Sequence, residues 1–573
     1  MVEVRTESGP RLAATEAAET AAGGGSGIGT TENDSISFAS VSALERQSTE
    51  ISCNGELKNA ETSDNSKSQR KLQHHLSREE IKDYFRTRFT TLFPTRKSLK
   101  QAREQYPLNP FPALRLMTWQ QTQFFLVGLL AWTWDALDFF SVSLNMAAIA
   151  DDLNSTVKDI SHAITLVLLL RVVGAIIFGY AGDKFGRKYP YCVTMVLIII
   201  VQLAQGFVKS YSAFLGVRAI FGIIMGSIYG VASATALENA PVEARSILSG
   251  IFQQGYALGY LLGVVFVRAI VDNSSHGWRA LFWFSAGPPV LFIIWRLLLP
   301  ESPTYVRLKE EQKRSAIRTN NGKSIFWRNA RAVLKYYWIT MVYLVILMAM
   351  FNFSSHGTQD LFPTMLTRQY DYSEDASTVT NSVANLGAIA GGIIVAHSSA
   401  FIGRRFAIMV CIIIAGALLY PWGFVSDKSG LNASVFFLQF CIQGLWGCCP
   451  IYLMEMCPME FRTFLTGVAY QMGNMISSAS STIEATIGEK FPVEGKPEGV
   501  YDYGKVMAIF MGCVLAVFLV VIILGPENKG GEVILNDDIV SSRGSLERVR
   551  SEDLEANNQL DVEEIKPHST HKE

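Results

Sequence analysis

The sequence predicts an all-α membrane protein of twelve transmembrane helices arranged as two six-helix halves. Three observations carry that prediction. Of the 573 residues, 49% are hydrophobic and only 18% charged, with a mean hydropathy of +0.21, whereas a soluble globular chain carries about a quarter charged residues. The apolar residues are concentrated between residues 114 and 525, in runs of the roughly 20 residues that a helix needs to cross a bilayer. Finally, that stretch repeats itself. A constant offset of 217 residues superimposes Gly174 on Gly391, Gly186 on Gly403, Arg187 on Arg404, Gly230 on Gly447, Glu238 on Glu455, Pro241 on Pro458, Arg245 on Arg462 and Gly250 on Gly467.

The elements follow in order. Residues 1–110 form a mostly disordered cytoplasmic tail, Gly/Ser/Thr/Glu-rich up to residue 76. An amphipathic helix is expected near 77–93, opened by a Ser77/Glu80 capping box. Its apolar face carries Ile81, Tyr84, Phe85, Phe89 and Leu92, with Arg86, Arg88, Arg96, Lys97 and Lys100 on or after it. Two readings stand for it: an anchor on membrane lipid, or packing under the bundle. The N-terminal half spans 114–300, with helices near 123–146, 160–181, 190–209, 213–236, 247–270 and 280–299. Residues 301–335 are a basic linker, and 336–525 hold helices near 337–360, 378–398, 405–424, 434–456, 464–486 and 505–525. The tail 526–573 closes the chain. Basic residues cluster in the linker and at Lys184–Lys188, Arg245, Arg404–Arg405 and Arg462, so the positive-inside rule places these loops and both termini in the cytoplasm. Sequons at Asn154, Asn273 and Asn432 then fall in outside loops. The first thirty residues lack an apolar core, so no cleaved signal peptide is expected.

Other classes are disfavoured. The formal net charge of −1, from 50 Lys and Arg against 51 Asp and Glu, argues against nucleic acid as a partner. The eight Cys show no disulfide or metal spacing. There is no nucleophile elbow, and the Gly-rich patch at 23–29 lacks a strand–helix frame. The reading is therefore not an enzyme, with no cofactor and no metal. A duplicated six-span half joined by a cytoplasmic linker is the layout of a secondary transporter, whose site lies between the halves near the midplane.

Motifs sharpen this. The loop Gly179–Lys188 (GYAGDKFGRK) resembles the signature between spans two and three of the major facilitator superfamily. Asp183 can face a helix N-terminus or an Arg, and Gly182 and Gly186 allow a tight turn. The second copy keeps Gly403-Arg404-Arg405 but has Ala400 in place of Asp183, which predicts a one-sided latch. Glu238/Pro241/Arg245 and Glu455/Pro458/Arg462 repeat a second latch. Asp183, Gly186, Arg187, Glu238, Arg245, Glu455 and Arg462 are thus the candidate gate. PESP (300–303) and GPENKG (525–530) fit the ends of spans six and twelve in the same superfamily, and Arg218 with Gly222 and Gly226 resembles another of its motifs, read as packing or proton relay.

In span seven, Asn352-Phe-Ser-Ser355-His356-Gly-Thr358-Gln359-Asp360 with Thr364 fits N-x-x-S-H-x-T-Q-D-x-x-x-T. It resembles the signature of the fungal Jen-type lactate/pyruvate:proton symporters, which implies uptake of short carboxylates with protons at the plasma membrane. The residues support this independently. Asn352, His356 and Gln359 share a helical face, and polar groups this dense in a span face water or partners. His356 changes charge near the acidic pH outside a cell, and Asp360 lies one turn on. Arg171, mid-span two, is the natural counter-charge for a carboxylate, or else an internal partner of Asp135 or Asp138 of span one. Asp135 overlays Asn352 under the repeat. Gln471 and Asn474 in span eleven point one way, and Gln471 overlays Gln254, next to Gln253.

The substrate-binding set is therefore Asn352, Ser355, His356, Thr358, Gln359, Arg171, Gln253, Gln254, Gln471 and Asn474, and the proton-coupling set His356, Asp360, Asp135 and Asp138. A monocarboxylate anion with one proton moves no net charge, so the pH gradient drives it at about 1.4 kcal/mol per unit. A dianion with one proton opposes an inside-negative potential by about 2.3 kcal/mol per 100 mV. The resemblance implies both mono- and dicarboxylate carriers, which differ in span five. The Gln253–Gln254 pair favours a dicarboxylate such as succinate or malate, with lactate, pyruvate or acetate as the alternative and a non-transporting nutrient sensor as a third reading. Lys529, Lys566 and Lys572 are candidate ubiquitin acceptors, so ubiquitin-ligase adaptors and kinases are expected partners of the tails.

Overall fold

A computed structural model describes residues 78–319, 331, 333–335, 337–425, 427–488, 490–493 and 501–529. The disordered tail expected before residue 77, its Ser77 cap, Lys566 and Lys572 lie outside the described residues, as do the linker positions Lys323 and Arg328.

Among the described residues, eleven helices are long and apolar enough to cross a membrane. In the first half they are Trp119–Ser143, Asp159–Phe185, Lys188–Gly206, Tyr211–Leu237, Val242–Val271 and Trp278–Leu298. The second half has Trp338–Gln369, Asp375–Ile402, Arg404–Phe424, Lys428–Met456 and Tyr503–Leu524. These are spans one to ten and twelve. The eleventh, expected as one helix over 464–486, is instead two pieces, Arg462–Ser477 and Ser480–Gly488. The break falls in the run Ser477-Ser478-Ala479-Ser480-Ser481. The hydroxyls of Ser477 and Ser478 donate to the carbonyls of Asn474 and Met475, so side chains compete for the carbonyls that would continue the helix. Asn432, expected in a loop, lies in the first turns of span ten.

Span one starts at a capping box in which Thr118 and Gln121 satisfy each other's backbone N–H. Gly186 and Gly403 terminate spans two and eight at φ 101° and 96°, a region that penalises any side chain. Spans three and nine then start at once, each with its first N–H groups held by a glutamate from the end of its own half. Glu301 accepts from Arg187 and Lys188, and Glu527 from Arg404 and Arg405. The glutamates of PESP and GPENKG are therefore helix caps.

The segment before span one packs under the bundle. Helix Arg78–Thr90 buries Arg88, and Leu92 just after it, against the second half. Arg405 donates to the carbonyl of Arg88 and the hydroxyl of Thr91. Phe85 and Phe89 remain exposed.

The halves meet through spans five with eight and ten, and spans two and four with eleven. Glycines make this possible. A Cβ on Gly250 would fall on the Gly392 carbonyl, and one on Gly230 on that of Thr463. These contacts gather at the end of the bundle carrying the Arg187 and Arg404 loops, hereafter the basic end. Within the first half, spans two and four approach so closely that a Cβ on Gly226 would strike the carbonyl oxygen of Arg171, whereas Gly216 has nothing within 4 Å. Gly226→Ala should therefore destabilise the protein by about 1–3 kcal/mol, and Gly216→Ala should leave it unchanged or up to about 1 kcal/mol more stable. Thermal unfolding of both variants in detergent checks this, and equal effects would refute the packing account.

Candidate functional site

The floor between the halves is aromatic. Trp132 of span one meets Tyr229 of span four edge-on at 5.2 Å and Phe252 of span five at 6.2 Å. Tyr229 stacks on Tyr470 of span eleven, ring centroids 3.7 Å apart. Tyr470 also meets Trp132 and Trp446. All are buried. The sequence reading missed this layer, although the repeat places Tyr229 on Trp446.

Above it stands Arg171, 2% exposed. One of its terminal nitrogens meets the Met225 sulfur at 2.8 Å, its guanidinium lies 4.6 Å from the Phe139 ring centroid, and its Nε has no hydrogen-bond partner among the described residues. Asp135 lies within electrostatic reach of Arg171, and so does the Tyr256 hydroxyl. Both Asp135 carboxylate oxygens are buried without a hydrogen bond among the described residues. The two aspartates of span one, read as alternatives for Arg171, have separate surroundings. Asp138 faces Gln202, Ser285 and Arg218 inside the first half, and Arg218 donates to its carbonyl at 3.4 Å.

Span seven brings its polar groups from the other half. His356 Nδ1 lies 3.2 Å from both Asp360 oxygens, and these side chains keep 27% and 33% exposure. His356 is within electrostatic reach of Arg171, so a fixed cation and a titratable ring from opposite halves share one space. Asn352 is buried and donates to the Met348 carbonyl at 2.8 Å. Gln359 donates to Gln439 of span ten at 3.1 Å and accepts from Ser355 at 3.4 Å. Gln439 was absent from the sequence reading, because an amide in span ten carries no motif. Thr358 stands apart. It is fully buried and its hydroxyl donates to its own helix, at Ser354 and Ser355. Its hydroxyl is thereby tied to the backbone of span seven.

Spans five and eleven divide similarly. Gln253 and Gln254 sit about 100° apart around the helix. Gln254 lies against Gly392 of span eight, in the half–half seam, with both amide atoms buried and unpartnered among the described residues. Gln253 shares a face with Ser249, Tyr256 and Tyr260, and its amide oxygen is buried and unpartnered among the described residues. Asn474 donates to Gln471 at 2.9 Å, which orients that pair as one unit.

The gate residues form one network at the basic end. Arg187 grips Glu238 through two bonds of 3.1 and 2.9 Å, and Arg404 grips Glu455 through two of 3.2 and 3.0 Å. The expected second latch is thus the same latch: Glu238 and Glu455 are held by the loop arginines. Arg245 bonds the carbonyls of Ala240 and Glu238, and Arg462 is buried. Asp183 pairs with Arg187 at 3.3 Å and accepts from the N–H groups of Thr463 and Phe464, at 3.1 and 2.9 Å. It therefore caps span eleven of the opposite half. The second copy, lacking an acid at Ala400, crosses the halves differently: Arg404 donates to Ser246 at 2.9 Å. Among the described residues no group of His, Cys, Asp and Glu is placed to hold a metal ion.

The model of the family described as "Sugar (and other) transporter" matches residues 111–537. A Saccharomyces cerevisiae protein described as "Carboxylic acid transporter protein homolog" is 39% identical over 466 residues, covering 79% of this chain and 75% of its own. The putative niacin/nicotinamide transporter NiaP of Bacillus subtilis is 24% identical over 406 residues, covering 70% and 96%. Among solved structures, the proton:xylose symporter XylE superposes with a TM-score of 0.59 at 16% identity, covering 72% and 98%. The human organic anion transporter MFSD10 gives 0.53 at 14%, covering 71% and 100%.

The aromatic floor makes a measurable claim. Tyr229 and Tyr470 belong to different halves, so their stack should couple them by about 0.5–1.5 kcal/mol beyond buried area. A double-mutant cycle of Tyr229→Leu and Tyr470→Leu, read by thermal unfolding, checks this, and additive losses would contradict it.

Proposed function

The chain belongs to the sugar (and other) transporter family, and from that premise we propose that it is a plasma-membrane, proton-coupled symporter importing short-chain carboxylates by alternating access. One observation carries the reading. Arg171, buried with Nε unpartnered among the described residues, faces the same space as the His356–Asp360 pair of the other half. A carboxylate bound there satisfies the guanidinium, and His356 with Asp360 holds the proton that balances its charge. Asp135 offers Arg171 an internal counter-charge when no substrate is present. Gln253, Gln471, Asn474 and Asn352 supply uncharged hydrogen bonds that hold an anion without trapping it. In this reading the basic end is cytoplasmic, and both termini lie on that side.

The choice of acid follows from span five. With Gln254 against Gly392, span five offers Gln253 to the space, above a floor of Trp132 and Tyr470. This arrangement suits one carboxylate with a small apolar remainder and favours lactate, pyruvate or acetate. The dicarboxylate reading, succinate or malate, rests on Gln253 and on Asp135 as carrier of a second proton. A pure sensor would not need the His356–Asp360 pair.

The deciding experiment is uptake of labelled lactate and labelled succinate at about pH 5 by transporter-null yeast expressing the chain, with external pH recorded. Lactate entry with external alkalinisation supports the monocarboxylate symporter. Succinate entry supports the dicarboxylate reading, in which case Gln253→Phe should suppress it. Arg171→Ala and His356→Ala should each abolish uptake by a correctly localised protein. No entry of either acid would leave the sensor.

A further inference from the structure

Glu484 lies in the second piece of span eleven, Ser480–Gly488. No motif points to it. Its side chain is fully buried, and neither carboxylate oxygen has a hydrogen-bond partner among the described residues. Ser480, one turn earlier on the same face, is also buried with its hydroxyl unpartnered among the described residues. Ile483 and Thr486, on the other side of this piece, are exposed. A carboxyl has thus been turned inward where an outward position was one rotamer stripe away. An ionised carboxylate in such a place is expensive, whereas its protonated form is tolerated.

The elements packed against this piece are spans seven and twelve. Span seven presents Asp360, which acts on Glu484 electrostatically and is itself bound to His356. On span twelve, Asp502 is occupied by Gln369 and its own helix N-terminus, and the Lys505 ammonium lies over the Phe491 ring. No cation among these meets Glu484.

We propose that Glu484 is a proton-binding residue of the symport cycle, acting with Asp360 and His356 as one three-membered unit; this rests on the symport reading above. Two carboxyls in electrostatic reach resist carrying charge together. When His356 is charged it neutralises Asp360, and the Glu484 O–H is free to break, its proton passing to solvent or to Asp360. When His356 is neutral, the negative charge of Asp360 keeps the proton on Glu484. No other bond changes. The break at Ser478–Ala479 lets this piece of span eleven move relative to Gln471 and Asn474, so the proton site and the substrate amides of one span are not rigidly tied.

The test uses the full chain in proteoliposomes, with labelled lactate and labelled succinate as probes. Two measurements are compared: accumulation driven by an imposed pH gradient, and exchange against internal unlabelled acid without a gradient. Wild-type accumulation should rise about tenfold per pH unit for each coupled proton. Glu484→Gln mimics the protonated residue, so exchange should persist while gradient-driven accumulation is lost. Glu484→Asp should restore accumulation with a shifted pH profile. Glu484→Gln accumulating like wild type would overturn the proposal. So would loss of exchange and accumulation together in both variants, or failure of both to fold, since each marks a structural role. If wild-type protein exchanges acid but ignores the gradient, the symport reading itself fails and takes Glu484 with it.

Discussion

A buried arginine must find an acid, and this requirement organises the bundle. Arg187 and Arg404 are 1% exposed, and each meets a glutamate through two parallel hydrogen bonds. Removing one member of such a pair leaves a buried charge, at a cost of about 3–5 kcal/mol. The geometry constrains the chain further. Each arginine must follow directly on a glycine with positive φ, so that span three or nine can start where span two or eight stops. Glu301 and Glu527 then cap those starts. The cap from one end of each half, the turn in its middle and the glutamate of its fourth span converge at one place. This explains why the 217-residue repeat is sharpest here.

The polar groups between the halves obey the opposite rule. Asp135, Arg171 and Gln253 each keep buried atoms unpartnered among the described residues, where most buried polar atoms are hydrogen-bonded. At the basic end Asp183, Glu238, Glu301, Glu455 and Glu527 are each answered by N–H donors, and in the middle several buried groups are not. Unmet hydrogen-bonding capacity is tolerable where a charged ligand and water come and go, and Asp135, Arg171 and Gln253 carry it on spans one, two and five.

This contrast also sets what was legible in the sequence. Span positions largely were, because an apolar run of bilayer length has few other uses, although span seven runs nine residues past its expected end and span ten starts six residues early. The break in span eleven was not, because serine hydroxyls that take helix carbonyls leave mean hydropathy unchanged. Arg187, Glu238, Arg404 and Glu455 stood out through their repeat, yet their pairing did not, since sequence spacing links Glu238 to Arg245 while the fold links it to Arg187. The aromatic floor was illegible because Trp132, Tyr229 and Tyr470 look like any core aromatics. Gln253 and Gln254 were indistinguishable until a neighbour, Gly392, fixed which of them faces the seam.

The two sides of the basic end hold the halves together differently. Where span two meets span eleven, Asp183 takes two N–H bonds into one carboxylate, each worth about 1.5–3 kcal/mol. On the other side Arg404 donates to Ser246 of span five, Ser249 bonds span ten, and stacked glycines pack against span eight. In the alternating-access reading, opening has to break both the Asp183 and the Arg404–Ser246 contacts. A ligand can shift such an equilibrium only by binding the two states unequally. Satisfying the Arg171 guanidinium has the magnitude required, since charge-assisted bonds to a carboxylate are of the same kind as those Asp183 gives up. Because spans two and four lock Arg171 through Gly226, any change in how Arg171 is satisfied acts on span two itself, and Asp183 lies twelve residues further along that same helix.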